Sequence, residues 1–477
     1  MSTDTTHDSP SPASLPRVLG TWSAASILIG SIIGSGIFAK PTAVAQALPS
    51  PGWTLFCWLA AGALALIGSL IFAELGSAYP RAGGQYTFLR EAFGNVPAFL
   101  FGWTNLVIIN AASIAALAVI SAEFSFNVLP ASLQPGPDSH WHRTLPVLMI
   151  AALTLANRRG LRWGASIQNT FTVLKLGALG LIIAGLFFPG KSDWSRLTPF
   201  WEIQNDGNGE ALWLGFKGAF LAIFWAYDGW YLLSFSGGEI RDPQRNIPRG
   251  FIIGIVVVIS VYLAFNLAVL TILPLAEIAA VDSPGGVAGQ VARHLYGDVG
   301  LVLISLGIVG STFGAANANL LTGPRLSYAM AQDRLFFPRF GKLHPSFLTP
   351  GFAIIAQGVV GAAYVYAGTF DQLTDSVVFA AWIFYLLTVV GYFRLRRRNQ
   401  GRDGVFRAPG HPFPAAFFVL FASIFVAYSF WDSFSLTLEY FSGSGDGEPT
   451  PDGLYLPLVL AIILAGLPLY AFVRRRA

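Results

Sequence analysis

Charged side chains are scarce in this sequence of 477 residues. Asp, Glu, Lys and Arg together make up 11% of it, whereas 54% of the residues are hydrophobic. Soluble proteins carry roughly a quarter charged residues, so this chain has too few to cover a surface that faces water. The composition therefore excludes a soluble globular protein and predicts a membrane protein.

Cysteine is nearly absent, and histidine is absent from the apolar runs. The single cysteine, Cys57, lies inside such a run, so neither an intrachain disulfide nor a cysteine-based metal site can form. The six histidines fall outside the predicted spans and lack the spacing of a metal motif. We therefore predict no metal and no cofactor. A membrane-embedded enzyme is disfavoured because it needs a nucleophile and base, or metal ligands, at one depth.

The hydrophobic residues come in runs of about twenty, the length that crosses a hydrocarbon layer of roughly 30 Å at 1.5 Å per residue. Lipid offers no hydrogen-bond partner to an exposed backbone, so these crossings must be helices. We predict an all-α membrane protein with about twelve transmembrane helices and a short interfacial helix over 287–296. The predicted spans are 20–47, 53–79, 97–128, 144–157, 165–188, 211–237, 250–273, 299–329, 352–369, 372–394, 413–432 and 453–473.

Lysine and arginine are distributed unevenly about these spans. With the N-terminus in the cytoplasm, 22 of the 29 lie in inside segments, six lie outside, and the last is Lys175 in span five. This is the positive-inside pattern. It predicts a multi-pass protein of the cell (plasma or inner) membrane with both termini cytoplasmic, and the net charge of +4 requires no nucleic-acid partner. Residues 1–16 are predicted to be a disordered tail, 17–398 a ten-span core, and 399–477 two further spans with a short tail.

Two spans contain residues that suit an interrupted helix. Span one has Gly-Ser-Gly at 34–36, which fits either close packing of small residues or an unwound stretch. Span six reads Trp-Ala-Tyr-Asp-Gly at 225–229, and an Asp near mid-membrane costs at least ~2.5 kcal/mol. These spans open two five-span halves and cross in opposite directions. Matching breaks in inverted halves predict a transporter with its site at the midplane, whereas a channel would need symmetric rings of side chains or carbonyls.

The predicted breaks suit a zwitterion. N–H groups at the start of a half-helix carry the positive end of its dipole and suit a carboxylate. Carbonyls freed at the end of the other half-helix suit an ammonium group. An α-amino acid carries both charges on one carbon, so the pattern favours an amino-acid substrate.

A single lysine lies deep in span five. Lys175 is ten positions into the span, about 15 Å deep, among apolar neighbours and with no acidic residue at helical spacing. Two interpretations are open: a structural lysine bonded to backbone carbonyls, or a fixed cation or titrating group that takes part in transport. We favour the second because intramembrane ionisable groups are energetically expensive.

The motifs together resemble those of the amino acid–polyamine–organocation superfamily of permeases, and most nearly its L-type amino acid transporter branch. The likeness extends from about Gly20 to Arg407. It rests on IIGSGIF at 32–38, AELGSAYPRAGGQY at 73–86, QNTFTVLK at 168–175, AYDGW at 226–230 with EIRDPQRNIPR at 239–249, and GPRLSYAM at 323–330.

The resemblance implies a five-plus-five inverted repeat with broken helices 1 and 6, followed by two C-terminal helices. It implies a secondary transporter of amino acids, with neutral L-amino acids expected, that works without sodium by exchange or proton-linked uptake. Cationic amino acids, polyamines or other amines are the alternative because of Asp228. In this resemblance Lys175 takes the place of a sodium ion and ties span one to span eight. The implied substrate-binding residues are Ile32, Gly34, Ser35, Gly36, Trp225, Ala226, Tyr227, Asp228 and Gly229.

This sequence departs from the family pattern at several positions, which limits the residue roles that can be transferred to it from the family. Trp225 stands where the family usually has a gating Phe, and Tyr231 stands where animal members often have Asn. The connector between spans three and four has no cysteine, so the family's disulfide to a heavy chain cannot form. We therefore predict a single working chain whose partners are the lipid bilayer and its amino-acid substrate.

Five other polar residues have two open interpretations. Glu74 and Arg81 flank the cytoplasmic end of span two, where they would form an intracellular gate or an interfacial ion pair. Asn110, Thr312 and Asn317 lie inside spans three and eight, where they would face the transport pathway or hydrogen-bond neighbouring helices.

Overall fold

The structure, a computed structural model, describes residues 17–81, 83–136, 138–159, 175–203, 209–281, 286–347, 349–400, 403–442 and 454–476. Within these ranges the regular secondary structure is helical, apart from one isolated bridge between Leu19 and Ile240. This confirms the predicted all-α class. The predicted tail 1–16 and the motif residues 168–174 lie outside the described residues.

The main helices are numbered α1 to α14 in chain order, and every predicted span overlaps at least one of them. They are α1 (Thr21–Ile32), α2 (Gly36–Ala47), α3 (Pro51–Ala78), α4 (Gly84–Phe93), α5 (Asn95–Phe126), α6 (Trp141–Arg158), α7 (Lys175–Phe187), α8 (Gly209–Tyr227), α9 (Pro243–Ile272), α10 (Gly286–Gln332), α11 (Gly351–Tyr364), α12 (Phe370–Arg398), α13 (Phe413–Ser442) and α14 (Tyr455–Arg476).

Seven of the described helices are long and apolar enough to cross a bilayer, and α1 with α2 forms an eighth crossing bent by 47°. The seven are α3, α5, α9, α10, α12, α13 and α14. The other four predicted spans are represented by α6, α7, α8 and α11, which are shorter or less apolar. Within α10, non-helical Gly297 (φ 68°) separates an amino-terminal arm from the spanning part. This confirms a separate helix over 287–296 before span eight.

Helices of the two predicted five-span halves pack in reciprocal pairs. Helix α1 of span one packs along α9 of span seven, and α8 of span six packs along α3 of span two. An inverted repeat would exchange these two contacts. Small residues permit the close approach, since a Cβ added to Gly250 would lie 2.6 Å from that of Ala24. The same packing brings the end of α1 and the end of α8 together.

Glu74, near the end of α3, is buried inside a charged cluster. Its carboxylate accepts hydrogen bonds from Tyr392 Oη at 3.0 Å, Arg396 Nη1 at 2.8 Å and the Ala408 backbone nitrogen at 2.8 Å. It also forms an ion pair with Arg407 at 3.2 Å. One buried carboxylate therefore joins α3 to the end of α12 and to the segment that precedes α13.

The structure contradicts the predicted pairing of Glu74 with Arg81. Arg81 instead lies 3.7 Å from Glu91, with 73% of its side chain exposed. The arginines that neutralise Glu74 come from more than 300 residues away in the chain. Neither a gate nor an interfacial ion pair between Glu74 and Arg81 is therefore present.

We expect Glu74→Ala to lower the free energy of unfolding by about 3 kcal/mol, because two arginines lose a buried counter-ion. The matched control is Glu91→Ala, which removes an exposed ion pair and should cost at most about 1 kcal/mol. Thermal unfolding of both purified variants in detergent measures the difference. Equal melting temperatures for the two variants would contradict the assigned role of Glu74.

Candidate functional site

Span one is interrupted between α1 and α2. Residues 33–35 belong to neither helix, and Ile33 is extended, with φ −69° and ψ 97°. Helix α2 then begins at Gly36. The last carbonyls of α1 and the first N–H groups of α2 consequently have no partner within their own helices. The structure confirms an unwound stretch here rather than a continuous helix.

Span six is interrupted at the position that its sequence predicts. Helix α8 ends at Tyr227, and the chain turns at Gly229, whose φ of 94° lies in the left-handed region. Glycine suits this turn both by conformation and by space, because a Cβ there would lie 2.7 Å from the carbonyl oxygen of Ser31. The span continues as a 3-10 helix, Trp230–Glu239.

The two interruptions face each other. A Cβ added to Gly36 would lie 2.8 Å from the Cβ of Ala226 and 2.9 Å from its backbone nitrogen. The indole Nε1 of Trp225 donates a hydrogen bond to Ser35 Oγ at 3.1 Å, and both residues are buried. The backbone segments of the two breaks are therefore in contact, and the Trp225 ring lies against Ser35.

Lys175 holds the carboxyl end of α1. Its side-chain nitrogen donates to the carbonyl oxygens of Gly30 at 2.6 Å and Ile33 at 2.8 Å, and the residue is 2% exposed. These are carbonyls that the end of α1 leaves without helical partners. Both of these hydrogen bonds go to span one, and none from Lys175 to span eight is present among the described residues.

Tyr262, from the middle of α9, connects the two breaks and was not recognised from the sequence. Its hydroxyl lies 3.1 Å from the carbonyl oxygen of Ile32 and 2.8 Å from that of Ala226. One hydroxyl has one proton, so it donates to only one of these carbonyls at a time. A tyrosine in the middle of the apolar run 250–273 is the signal that could have identified it.

The side chains of Tyr227 and Asp228 extend towards other spans. Tyr227 Oη donates to the carbonyl oxygen of Trp58 in α3 at 3.1 Å, and Tyr385 Oη of α12 donates to Asp228 Oδ1 at 2.6 Å. Both residues line a cavity of about 10 Å³ that includes Trp382 and no residue of 34–36. At this break, therefore, the hydrogen bonds of the Tyr227 and Asp228 side chains go to α3 and α12, while the backbone at Gly229 lies next to Ser31 of span one.

Lys40 is buried in α2, although it lies towards the end of predicted span one. Its ammonium group donates to Asp371 Oδ1 at 2.6 Å and to Thr374 Oγ1 at 2.7 Å, both in α12. It also lies 4.9 Å from the centre of the Phe370 ring, which is 6.3 Å from the Trp225 ring. These contacts tie α2 to α12 beside Trp225.

The polar residues of spans three and eight are bonded to protein groups. Asn110 Nδ2 donates to Asn105 Oδ1 at 2.7 Å, and Asn157 Nδ2 donates to Asn317 Oδ1 at 2.7 Å. Thr312 Oγ1 donates to the carbonyl oxygen of Ile308 in its own helix at 2.8 Å. These contacts favour the interpretation of Asn110, Thr312 and Asn317 as packing residues.

Comparison with known proteins finds matches over most of the chain. A family model described as amino acid permease matches residues 19–462. The serine/threonine exchanger SteT of Bacillus subtilis is 32% identical over 470 residues, which cover 97% of this chain and 98% of the relative. The b(0,+)-type amino acid transporter 1 of Homo sapiens is 33% identical over 84% of this chain and 80% of its own. The large neutral amino acids transporter small subunit 2 of Homo sapiens is 30% identical over 96% and 80%.

We expect Gly36→Ala to destabilise the protein, because its new methyl group would overlap Ala226 where the two breaks meet. Gly34→Ala is the matched control, since a Cβ at Gly34 meets nothing closer than 3.8 Å. Melting temperatures in detergent should fall clearly for Gly36→Ala and little for Gly34→Ala. Equal melting temperatures would show that the two breaks do not touch at Gly36.

Proposed function

This chain belongs to the amino acid permease family and transports amino acids, and we propose that it moves neutral L-amino acids without sodium, by exchange. The observation that carries the proposal is the ammonium group of Lys175 at the carbonyls of Gly30 and Ile33. Proton-linked uptake is the alternative form of coupling. The relative from Bacillus subtilis, named as an exchanger, supports exchange.

Lys175 supports sodium independence through the atoms that it contacts. In transporters with broken helices, the carbonyls at half-helix ends are the groups that coordinate a sodium ion. Here the side chain of Lys175, which belongs to the protein itself, donates to two such carbonyls at the end of α1. An ammonium group supplies the positive charge that a sodium ion would bring, so transport would not need the ion.

The facing breaks support recognition of the charged groups that all α-amino acids share. The first N–H groups of α2, around Ser35 and Gly36, suit the substrate carboxylate. The carbonyls of Ile32 and Ala226, which Tyr262 contacts, suit the substrate ammonium group. Because the Trp225 indole is bonded to Ser35, it has to move away before a carboxylate reaches that side chain.

The surroundings of Asp228 favour a neutral substrate over a cationic one. Its carboxylate already accepts a hydrogen bond from Tyr385, and the cavity beside it is about 10 Å³. That volume holds about one water molecule and not a guanidinium or amine side chain. The closed surroundings of Asp228 therefore favour neutral amino acids over the cationic or polyamine alternative.

The membrane arrangement is proposed from the charge pattern. Since 22 of the 29 lysines and arginines lie in segments on one side, we assign that side and both termini to the cytoplasm of a plasma or inner membrane. The segment between α5 and α6 contains no cysteine for a disulfide to a second subunit. We therefore propose that the single chain is sufficient for transport.

Counterflow in liposomes tests the proposal directly. Purified protein in liposomes loaded with an unlabelled neutral amino acid should take up the labelled one equally well in sodium and in choline. Arginine and lysine should compete poorly. Uptake that collapses without sodium would contradict the proposal, and a pH gradient that drives uptake into empty liposomes would identify proton-linked transport instead.

We expect Lys175→Ala to reduce transport roughly tenfold or more, because two buried carbonyls lose their donor at a cost of about 1–3 kcal/mol each. Lys191→Ala is the matched control, since Lys191 donates to the carbonyl oxygen of His294 at an exposed position. The control should transport at the normal rate. Unchanged rates and pH dependence in Lys175→Ala would remove this lysine from the coupling mechanism.

A further inference from the structure

We propose that a basic cavity between the end of α6 and the start of α11 binds the headgroup of an anionic phospholipid. The cavity has a volume of about 480 Å³ and is separate from the two helix breaks. Residues from three parts of the chain line it. They are Arg158, Arg339, Lys342, Leu343, His344, Gly351, Phe352 and Ile355.

The charge of the cavity is of one sign. Arg158, Arg339 and Lys342 bring three cations to it, His344 adds an imidazole ring, and the lining residues that the structure describes include no acidic one. In the part of the chain that the structure describes, none of the three cations forms an ion pair. Cations that converge without a counter-ion attract an anion, and arginine suits phosphate because it donates through two parallel N–H groups.

The position of the cavity selects a lipid rather than a free anion. Phe352 and Ile355 of α11 are 45% and 37% exposed, and Leu155, one turn before Arg158 on α6, is 55% exposed. Apolar side chains that remain exposed on membrane helices face the acyl chains. The cavity therefore lies where an apolar surface meets a cluster of cations, which is the arrangement that an anionic headgroup with its acyl chains requires.

Backbone geometry adds to the attraction. Helix α11 is 14 residues long and begins at Gly351, so the positive end of its dipole faces the cavity. A Cβ on Gly351 would lie 3.8 Å from Arg158 Cγ, so the helix start and the arginine stem are in close contact. This end of α11 and the cationic side chains together form a concave site, which distinguishes the cavity from a row of interfacial arginines.

The exposed arginines at the end of α12 provide a matched control. Arg394 and Arg397 lie in or near the last turn of α12, are exposed, and line none of the cavities described above. Like Arg339 and Lys342, they lie in segments that the charge pattern assigns to the cytoplasm. A general electrostatic attraction of the membrane surface would depend on both pairs equally.

Native mass spectrometry of the purified full-length protein tests the proposal with dioleoyl-phosphatidylglycerol and dioleoyl-phosphatidylcholine. The wild type should retain phosphatidylglycerol more tightly than phosphatidylcholine. Combining Arg339→Gln with Lys342→Gln should weaken phosphatidylglycerol binding by roughly thirtyfold, because each interfacial cation contributes about a factor of five. Combining Arg394→Gln with Arg397→Gln should leave that affinity within about twofold, as these arginines lie outside the cavity. Lys342→Gln alone serves if the cavity double variant does not fold.

Three results would overturn the proposal. Equal retention of the two lipids would show that only acyl chains are bound. Equal loss in the cavity and control variants would show a general surface effect. Displacement of phosphatidylglycerol by the same concentration of inorganic phosphate would identify a free-anion site instead of a lipid site.

Discussion

The rest of the site depends on how an interrupted helix is satisfied inside a membrane. An unwound segment in the hydrocarbon layer has carbonyls and N–H groups that lipid cannot bond, at a cost of several kcal/mol for each unsatisfied group. In span one the donors come from other spans. Lys175 bonds the carbonyls of Gly30 and Ile33, and Tyr262 lies within hydrogen-bond distance of the carbonyl of Ile32, which lies between them in the sequence.

These donors explain why the two breaks occupy one place. Tyr262 also reaches the carbonyl of Ala226, so a single hydroxyl links the end of α1 to the end of α8. Gly36 lets the two backbones touch, and Trp225 closes over Ser35. In addition, the ion pair between buried Lys40 and exposed Asp371 holds α2 against α12. In the function that we propose, these protein groups occupy the positions that the zwitterion would take.

Patterns within one segment were sufficient to predict much of this arrangement. Long apolar runs predicted the helices, and the glycines at 34–36 and 229 marked the interruptions because a helix tolerates such residues poorly. Lys175 was conspicuous because a charge within an apolar span requires a partner. Each of these signals lies in a stretch of about twenty residues.

Partners from distant segments could not be predicted in the same way. Glu74 bonds Arg396 and Arg407, and Lys40 bonds Asp371, across more than 300 residues of sequence. A lysine near the end of a span usually extends to the membrane surface. The burial of Lys40 therefore could not be predicted without knowing that Asp371 is its partner. Tyr262 was missed because its function lies in its hydroxyl, whereas its ring fits an ordinary apolar helix.

The central claim is that the facing breaks bind the two charged groups of an amino acid. A cryo-electron microscopy structure of the protein with a bound neutral amino acid tests it most directly. The account predicts the substrate carboxylate at the backbone N–H groups of Ser35 and Gly36, its ammonium group at the carbonyls of Ile32 or Ala226, and the Trp225 indole displaced from Ser35. Substrate bound elsewhere, with Trp225 still bonded to Ser35, would contradict it.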